Sequence, residues 1–136
     1  MGLKLKPIVK RVNNEIDFWA SFVSIIQSVL PSKRRLTGSE LKVFSYVLAQ
    51  DMNRDQFRGV AKNKTMENLK LNIHSLGMHR SNIAKKGWIV DKLPERFIRS
   101  VQKEMKPIIE ANPDEVIELE ITFTIRLDGR TGEAGS

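Results

Sequence analysis

The chain contains no cysteine, which removes disulfides, thiolate metal sites and thiol nucleophiles at once. Its two histidines are His74 and His79. Five residues apart, they fall on poorly matched sides of a helix, and no carboxylate completes a ligand set beside them. No run reaches the roughly 18 apolar residues that a membrane span requires. Met1-Gly2-Leu3-Lys4-Leu5-Lys6-Pro7 also lacks the apolar core of a signal peptide. Neither a span nor a secretory leader is therefore expected. Glycine and proline are sparse, at 8 and 5 residues, and build no phosphate-binding loop; Gly129-Arg130-Thr131-Gly132 is turn chemistry. Ser39 and Ser75 have no partnering base, and Asp51 and Asp55 would share a face only if the second helix continued, whereas Asn53 and Asp55 read as loop residues. No catalytic residue, metal, cofactor or small-molecule substrate is expected, and the chain reads as a non-enzyme.

What is present describes one α+β domain. The sequence has 136 residues, 40% hydrophobic and 29% charged, enough for one core and ordinary for a globular chain. The net charge of +7 is unevenly spread. Residues 1–106 carry 21 Lys+Arg against 9 Asp+Glu, or +12, while residues 107–136 carry 2 against 7, or −5. That polarity suits either a polyanion partner or two oppositely charged surfaces that pair.

Residues 3–12 alternate apolar and basic around Pro7, the pattern of an edge strand. A helix over 14–30 follows from Ile16, Trp19, Phe22, Val23, Ile26, Val29 and Leu30, with Phe18 and Ile25 widening the stripe. Pro31 stops it, and Ser32-Lys33-Arg34-Arg35 is a basic connector. Leu36-Thr37-Gly38-Ser39-Glu40-Leu41 combines a capping box with a hydrophobic staple, and Leu41, Phe44, Val47 and Leu48 give the inner face of the helix it opens. A polar loop near 53–58 leads to a weaker helix over 64–71. Asn72-Ile73-His74 reads as a tight connection to a helix over 75–86, which Gly87 ends. Trp88-Ile89-Val90 reads as a strand.

Pro94 sits where the first residue of another helix (94–111) belongs, with Phe97, Ile98, Val101, Met105 and Ile108 facing inward and Pro107 expected to kink or break it. Strict alternation from Ile117 to Leu127 predicts a long strand over 116–127, and 128–136 reads as a flexible tail. The N-terminal strand is the natural partner for this long one, with Lys4, Lys6 and Lys10 opposite Glu118 and Glu120. Trp19 and Trp88 read as core anchors.

The stretch 36–90, with its Leu-Thr-x-x-Glu helix opening and its Lys85-Lys86-Gly87-Trp88-Ile89 exit, resembles the winged helix-turn-helix modules of bacterial, plasmid and phage regulators and replication initiators. The fold class expected is thus α+β, with a winged-helix-like helical core and a small antiparallel sheet of N- and C-terminal strands. The resemblance implies DNA binding through the helix near 75–86. Leu76, Ile83 and the stems of His79 or Arg80 would pack inward. Arg80 would fork onto guanine and Asn82 onto adenine, beside Ser81, with Lys85 and Lys86 on phosphates. Lys33, Arg34, Arg35, Arg58, Lys62 and Lys64 would add backbone contacts. Two features depart from the pattern. Gly77 interrupts the recognition helix, and Pro94 stands where a second wing strand belongs, leaving the distant 118–127 segment to supply it.

A second reading from another class is a structural subunit of a multi-copy assembly, such as a virion head-to-tail connector of a bacterial virus. Its interface would comprise Lys4, Lys6, Glu118, Glu120, Thr122 and Thr124, opposite charges at the two ends suiting head-to-tail contacts. Expected partners are DNA or a polyanionic surface, further copies, or neighbouring structural proteins. The expected place is the cytoplasm of a bacterial host or the virion.

Overall fold

A computed structural model describes residues 2–4, 8–12, 14–50, 57, 59–122 and 124–126. The expectations on Lys6, Pro7, the 53–58 loop with Arg58, and the tail 128–136 lie outside the described residues, apart from Phe57. The chain is α+β: five α-helices among the described residues, with antiparallel ribbons joining its two ends.

The single N-terminal strand expected over 3–12 is two pieces, β1 (Gly2–Lys4) and β2 (Ile8–Val12). Helix α1 (Glu15–Gln27) begins at Asn14, whose side chain accepts from the Asp17 amide, with Glu15 and Asp17 favourable to the positive end of the helix dipole. It is three residues shorter at its C-terminal end than the apolar stripe suggested. Phe18, Trp19, Phe22, Val23 and Ile25 are buried, but Ile16 and Val29 are exposed.

A 3-10 turn at Ser32–Arg34 leads into α2 (Gly38–Leu48), where the capping box forms as the sequence predicts. The Thr37 hydroxyl accepts from the Glu40 amide at 3.2 Å, and the Glu40 carboxylate accepts from the Thr37 amide at 3.0 Å. Val43 through Leu48 are all buried, so α2 is the central element rather than a surface helix.

Helix α3 (Gly59–Leu69) starts five residues before the expected one. It ends at Lys70, which takes φ 56° while the Leu71 amide reaches back to the Met66 carbonyl. This is a Schellman closure made without glycine, so no stop signal was visible. Helix α4 (Ile73–Lys85) takes in Ile73 and His74, because Asn72 caps it by accepting from the Ser75 amide. Its inner face is Leu76 and Ile83, with His79 and Arg80 half-buried. Gly87 at φ 91° closes α4. The Trp88 and Gly87 amides bond the Ile83 and Ala84 carbonyls, and buried Trp88 meets Phe44 edge-on.

The largest correction follows. Pro94 does not open a helix. It lies in β4 (Leu93–Pro94), opposite Ile89 of β3 (Ile89–Val90). The two strands form a hairpin whose tip, Asp91-Lys92, has φ 51° and 71°, the left-handed pair that a tight two-residue turn requires. The partner of the 88–90 strand is therefore local, not the 118–127 segment. Proline is tolerated because a two-stranded hairpin leaves an edge that needs no donor.

Helix α5 (Arg96–Ala111) is capped by Glu95, which accepts from the Ile98 amide, and continues unbroken through Pro107. Its buried face is Ile98, Gln102, Lys106 and Ile109. Of the residues expected inside, Val101 and Met105 are half-buried, whereas Phe97 and Ile108 are 55% and 57% exposed. The rotation has a polar cause. Gln102 donates to the Leu48 carbonyl at 2.9 Å and Lys106 to the Ala49 carbonyl at 3.1 Å, satisfying the C-terminal end of α2. Lys106 is neutralised by Glu15 and Glu110.

The long C-terminal strand is also two pieces, β5 (Ile117–Ile121) and β6 (Thr124–Arg126). β5 pairs with β2, and β6 with β1. The expected union of chain ends is present, but the register differs. Arg11 lies opposite Glu118, Val9 opposite Glu120, Lys10 opposite Leu119 and Lys4 opposite Thr124. Alternation sets which face is wet, but hydrogen-bond register sets which charges meet.

Lys92 at the hairpin tip bears the left-handed strain that glycine does not. Lys92→Gly is expected to raise stability by about 0.5–1 kcal/mol, read as a higher urea midpoint with an unchanged slope.

Candidate nucleic-acid interface

The residues singled out from sequence divide into those the fold uses internally and those it leaves at the surface. Lys86 belongs to the first group. Its ammonium donates to Glu40 at 2.5 Å, and Glu40 is only 4% exposed. Burial alone pushes the Glu40 carboxyl up. The Lys86 hydrogen bond, the Thr37 amide, and the nearby Lys86 and His79 side chains outweigh it and hold the carboxyl below its ordinary value. Lys86 is thus the counter-ion of a capping box 46 residues away, not a free phosphate contact.

Arg80 is half-buried, with its guanidinium carbon 5.6 Å from the centre of the Phe57 ring and its Nε buried. A side chain held against an aromatic ring is not placed to fork onto a base edge. Arg35 donates to the Leu30 and Ser28 carbonyls, closing the end of α1. These three basic residues are consumed by the fold.

Arg34 has a double role. Its Nε donates to the Lys86 carbonyl at 3.3 Å, and its own carbonyl accepts from the Trp88 indole at 2.7 Å. A Cβ at Gly87 would stand 3.1 Å from the Arg34 guanidinium, so glycine there serves both the left-handed cap and this close approach. Together these contacts tie the 3-10 turn to the end of α4 and the start of the hairpin, across more than 50 residues of sequence. The turn that carries exposed Lys33 and Arg34 is thereby held at the end of α4 that carries exposed Lys85. The hairpin tip with exposed Lys92 follows four residues after Trp88.

The solvent face of α4 is composed of Ile73, His74, Gly77, Met78, Ser81, Ala84 and Lys85, with Asn82 half-buried at its margin. Gly77 has nothing within 4 Å of where a Cβ would stand. Its absent side chain therefore makes no room inside the molecule. Lys62 (half-buried) and Lys64 (exposed) lie on α3, and among the described residues no hydrogen bond or ion pair ties them to the basic end. On the opposite ribbon, Glu118 and Glu120 are exposed and Thr122 is half-buried. Lys4 and Thr124 are paired in the backbone register of their own chain.

Sequence reasoning passed over Arg96, Arg99 and Lys103, which line a groove between the hairpin and α5. Their spacing of three and four was readable, but the misplaced start of α5 hid that they face a hairpin. Among the described residues no three His, Asp or Glu side chains group to hold a metal ion, and no helix is long and apolar enough to cross a membrane. Comparison with known proteins gives no matching family model, curated protein or solved structure.

The neighbours Lys85 and Lys86 should separate on mutation. Lys86→Ala leaves Glu40 buried without its cation and is expected to cost roughly 2–3 kcal/mol, whereas Lys85→Ala should fall within about 0.5 kcal/mol of wild type; denaturant titration reads both. Because the folded carboxyl of Glu40 is held low, its contribution to stability is complete above the unfolded carboxylate range, near pH 4.3. That contribution is lost as pH falls through the lowered folded value. Stability measured from pH 6 downward should therefore fall less steeply in Glu40→Gln than in wild type.

Proposed function

We propose that this chain is a non-catalytic DNA-binding protein on a winged-helix plan, with α2, α3 and α4 as the helices, β3–β4 as a short wing, and α4 presented to the duplex. The observation that carries the reading is the gathering of Lys33, Arg34 and Lys85 at one end of α4 by contacts that the fold makes across 52 and 54 residues. Positive charge from separate segments, held at one end of a helix, is the footprint of a polyanion partner. The order helix, helix, helix, hairpin supports the same plan.

Gly77 adds an independent argument. Glycine inside a helix costs about 1 kcal/mol relative to alanine, and here no internal packing repays it. A low-profile face of Gly77, Ser81 and Ala84 suits close approach to a duplex groove. In this reading Ser81 and Asn82 reach base edges, while Lys85, Lys33 and Arg34 neutralise phosphates. Arg80 and Lys86 leave the contact set, and Lys62 and Lys64 serve as flanking charges.

A second reading, a subunit of a multi-copy assembly, is favoured by one observation. α5 runs about 24 Å at 1.5 Å per residue, with Arg96 and Arg99 at one end and Glu110 at the other. Beyond it Glu110, Glu115 and Glu15 line a second cavity, of about 250 Å³. Opposed ends of this kind suit head-to-tail contact between copies.

Anisotropy titration of a labelled duplex over a salt series decides between the two. DNA binding predicts an affinity that falls with salt at a log–log slope of about −3 to −5, for three to five neutralised phosphates. Lys33→Ala with Lys85→Ala should reduce that slope by about 2. Gly77→Ala should raise stability by about 1 kcal/mol, while Gly77→Gln should weaken binding at least about tenfold through steric exclusion. A wild-type protein that ignores duplex DNA at low salt, and forms salt-sensitive oligomers by light scattering, would establish the assembly reading instead.

A further inference from the structure

A basic surface separate from the α4 contacts lies between the β3–β4 hairpin and the first half of α5, as a groove of about 460 Å³. Arg96, Arg99 and Lys103 line one side at spacings of three and four, so they share one face of the helix. All three are exposed, and among the described residues none forms an ion pair. The nearby Glu95 carboxylate is engaged by the Ile98 amide. The other side of the groove is Val90, Leu93 and Pro94, with Val90 53% exposed.

The placement of these cations works against α5. Two of them, Arg96 and Arg99, stand in the first turn, where the helix dipole favours negative charge. Like charges three and four residues apart also repel. Among the described residues these three cations gain no ion pair to offset the weakening of their own helix, and a ligand bringing negative charge to the groove reverses the sign of each effect.

We infer that this groove takes the phosphate backbone of one strand of a DNA duplex, as a contact additional to that of α4; the inference rests on the DNA-binding reading. Arg96 to Lys103 spans about 10 Å of helix, and one DNA strand advances about 3.4 Å per phosphate along the duplex axis. The three cations thus cover about three phosphate steps of one strand. Val90, Leu93 and Pro94 present an apolar wall to the intervening sugars. Among the described residues Asp91 is the one carboxylate lining the groove, and it opposes a phosphate there.

The test is anisotropy of the full chain with two labelled duplexes of unrelated sequence across a salt series, comparing wild type, Arg99→Gln with Lys103→Gln, and Asp91→Asn. The double variant is expected to bind about tenfold or more weakly on both sequences, with the salt slope reduced by about 2. Its melting temperature should be unchanged or higher, since the substitutions relieve repulsion. Asp91→Asn is expected to bind more tightly, an outcome that misfolding cannot imitate. Wild-type affinity and slope in the double variant would overturn the groove inference and leave DNA binding by α4 standing. Failure of the wild type to bind either duplex at low salt would overturn the DNA reading itself. Loss of self-association in the double variant would then assign the groove to the acidic end of a second copy.

Discussion

Helix α2 is buried along nearly all of its final two turns, and its end groups must therefore be satisfied by protein rather than water. The rest of the structure follows from how this is done. At the N-terminal end the capping box places the Glu40 carboxylate in the interior, which requires a cation, and Lys86, the C-cap of α4, supplies it. At the C-terminal end the Leu48 and Ala49 carbonyls require donors, and α5 supplies Gln102 and Lys106. Lys106 then needs negative charge, which α1 provides in Glu15, itself bonded by the Trp19 indole. Three helices are pinned to α2 through its two ends, and the apolar contacts of Trp19, Phe44, Leu48 and Ile83 fill the space between.

This arrangement sorts the positive charge of the chain. Lys86, Lys106 and Arg35 are spent on carboxylates and carbonyls inside the fold. Lys33, Lys85 and Lys92 remain outside near the hairpin, and Arg96, Arg99 and Lys103 along its groove. The same α5 carries Glu110 at its other end, where Glu15 and Glu115 line the same cavity. A strongly basic composition is thus not evidence by itself. What supports a polyanion partner is the residue of charge that no internal contact uses, including charge set against a helix dipole.

Much of the fold was legible because it rests on local groups. Thr37 and Glu40 announce the start of α2, Gly87 and Trp88 the end of α4, and the alternation of Ile117, Leu119 and Ile121 a half-wet strand. The failures share one form. Pro94 reads as a helix start although Glu95 is the residue that caps α5, and the buried face of α5 is rotated from its apolar stripe because Gln102 and Lys106 turn inward to the end of α2. Arg80 and Lys86 looked like free donors because nothing in their own neighbourhood names Phe57 or Glu40 as partners.

By itself the sequence determined that these helices exist, the Thr37–Glu40 cap and the Gly87 stop, the exclusion of thiol chemistry and the mixed α+β class, since these depend on groups within about four residues of each other. Tertiary structure alone decided which cations are internal and which are free, the register of the end-to-end ribbons, and the groove against α5. The internal ion pairs join residues 46 and 91 positions apart, and the ribbons join the two ends of the chain. At such separations a charge finds its partner through the packing of whole helices, which no local pattern encodes.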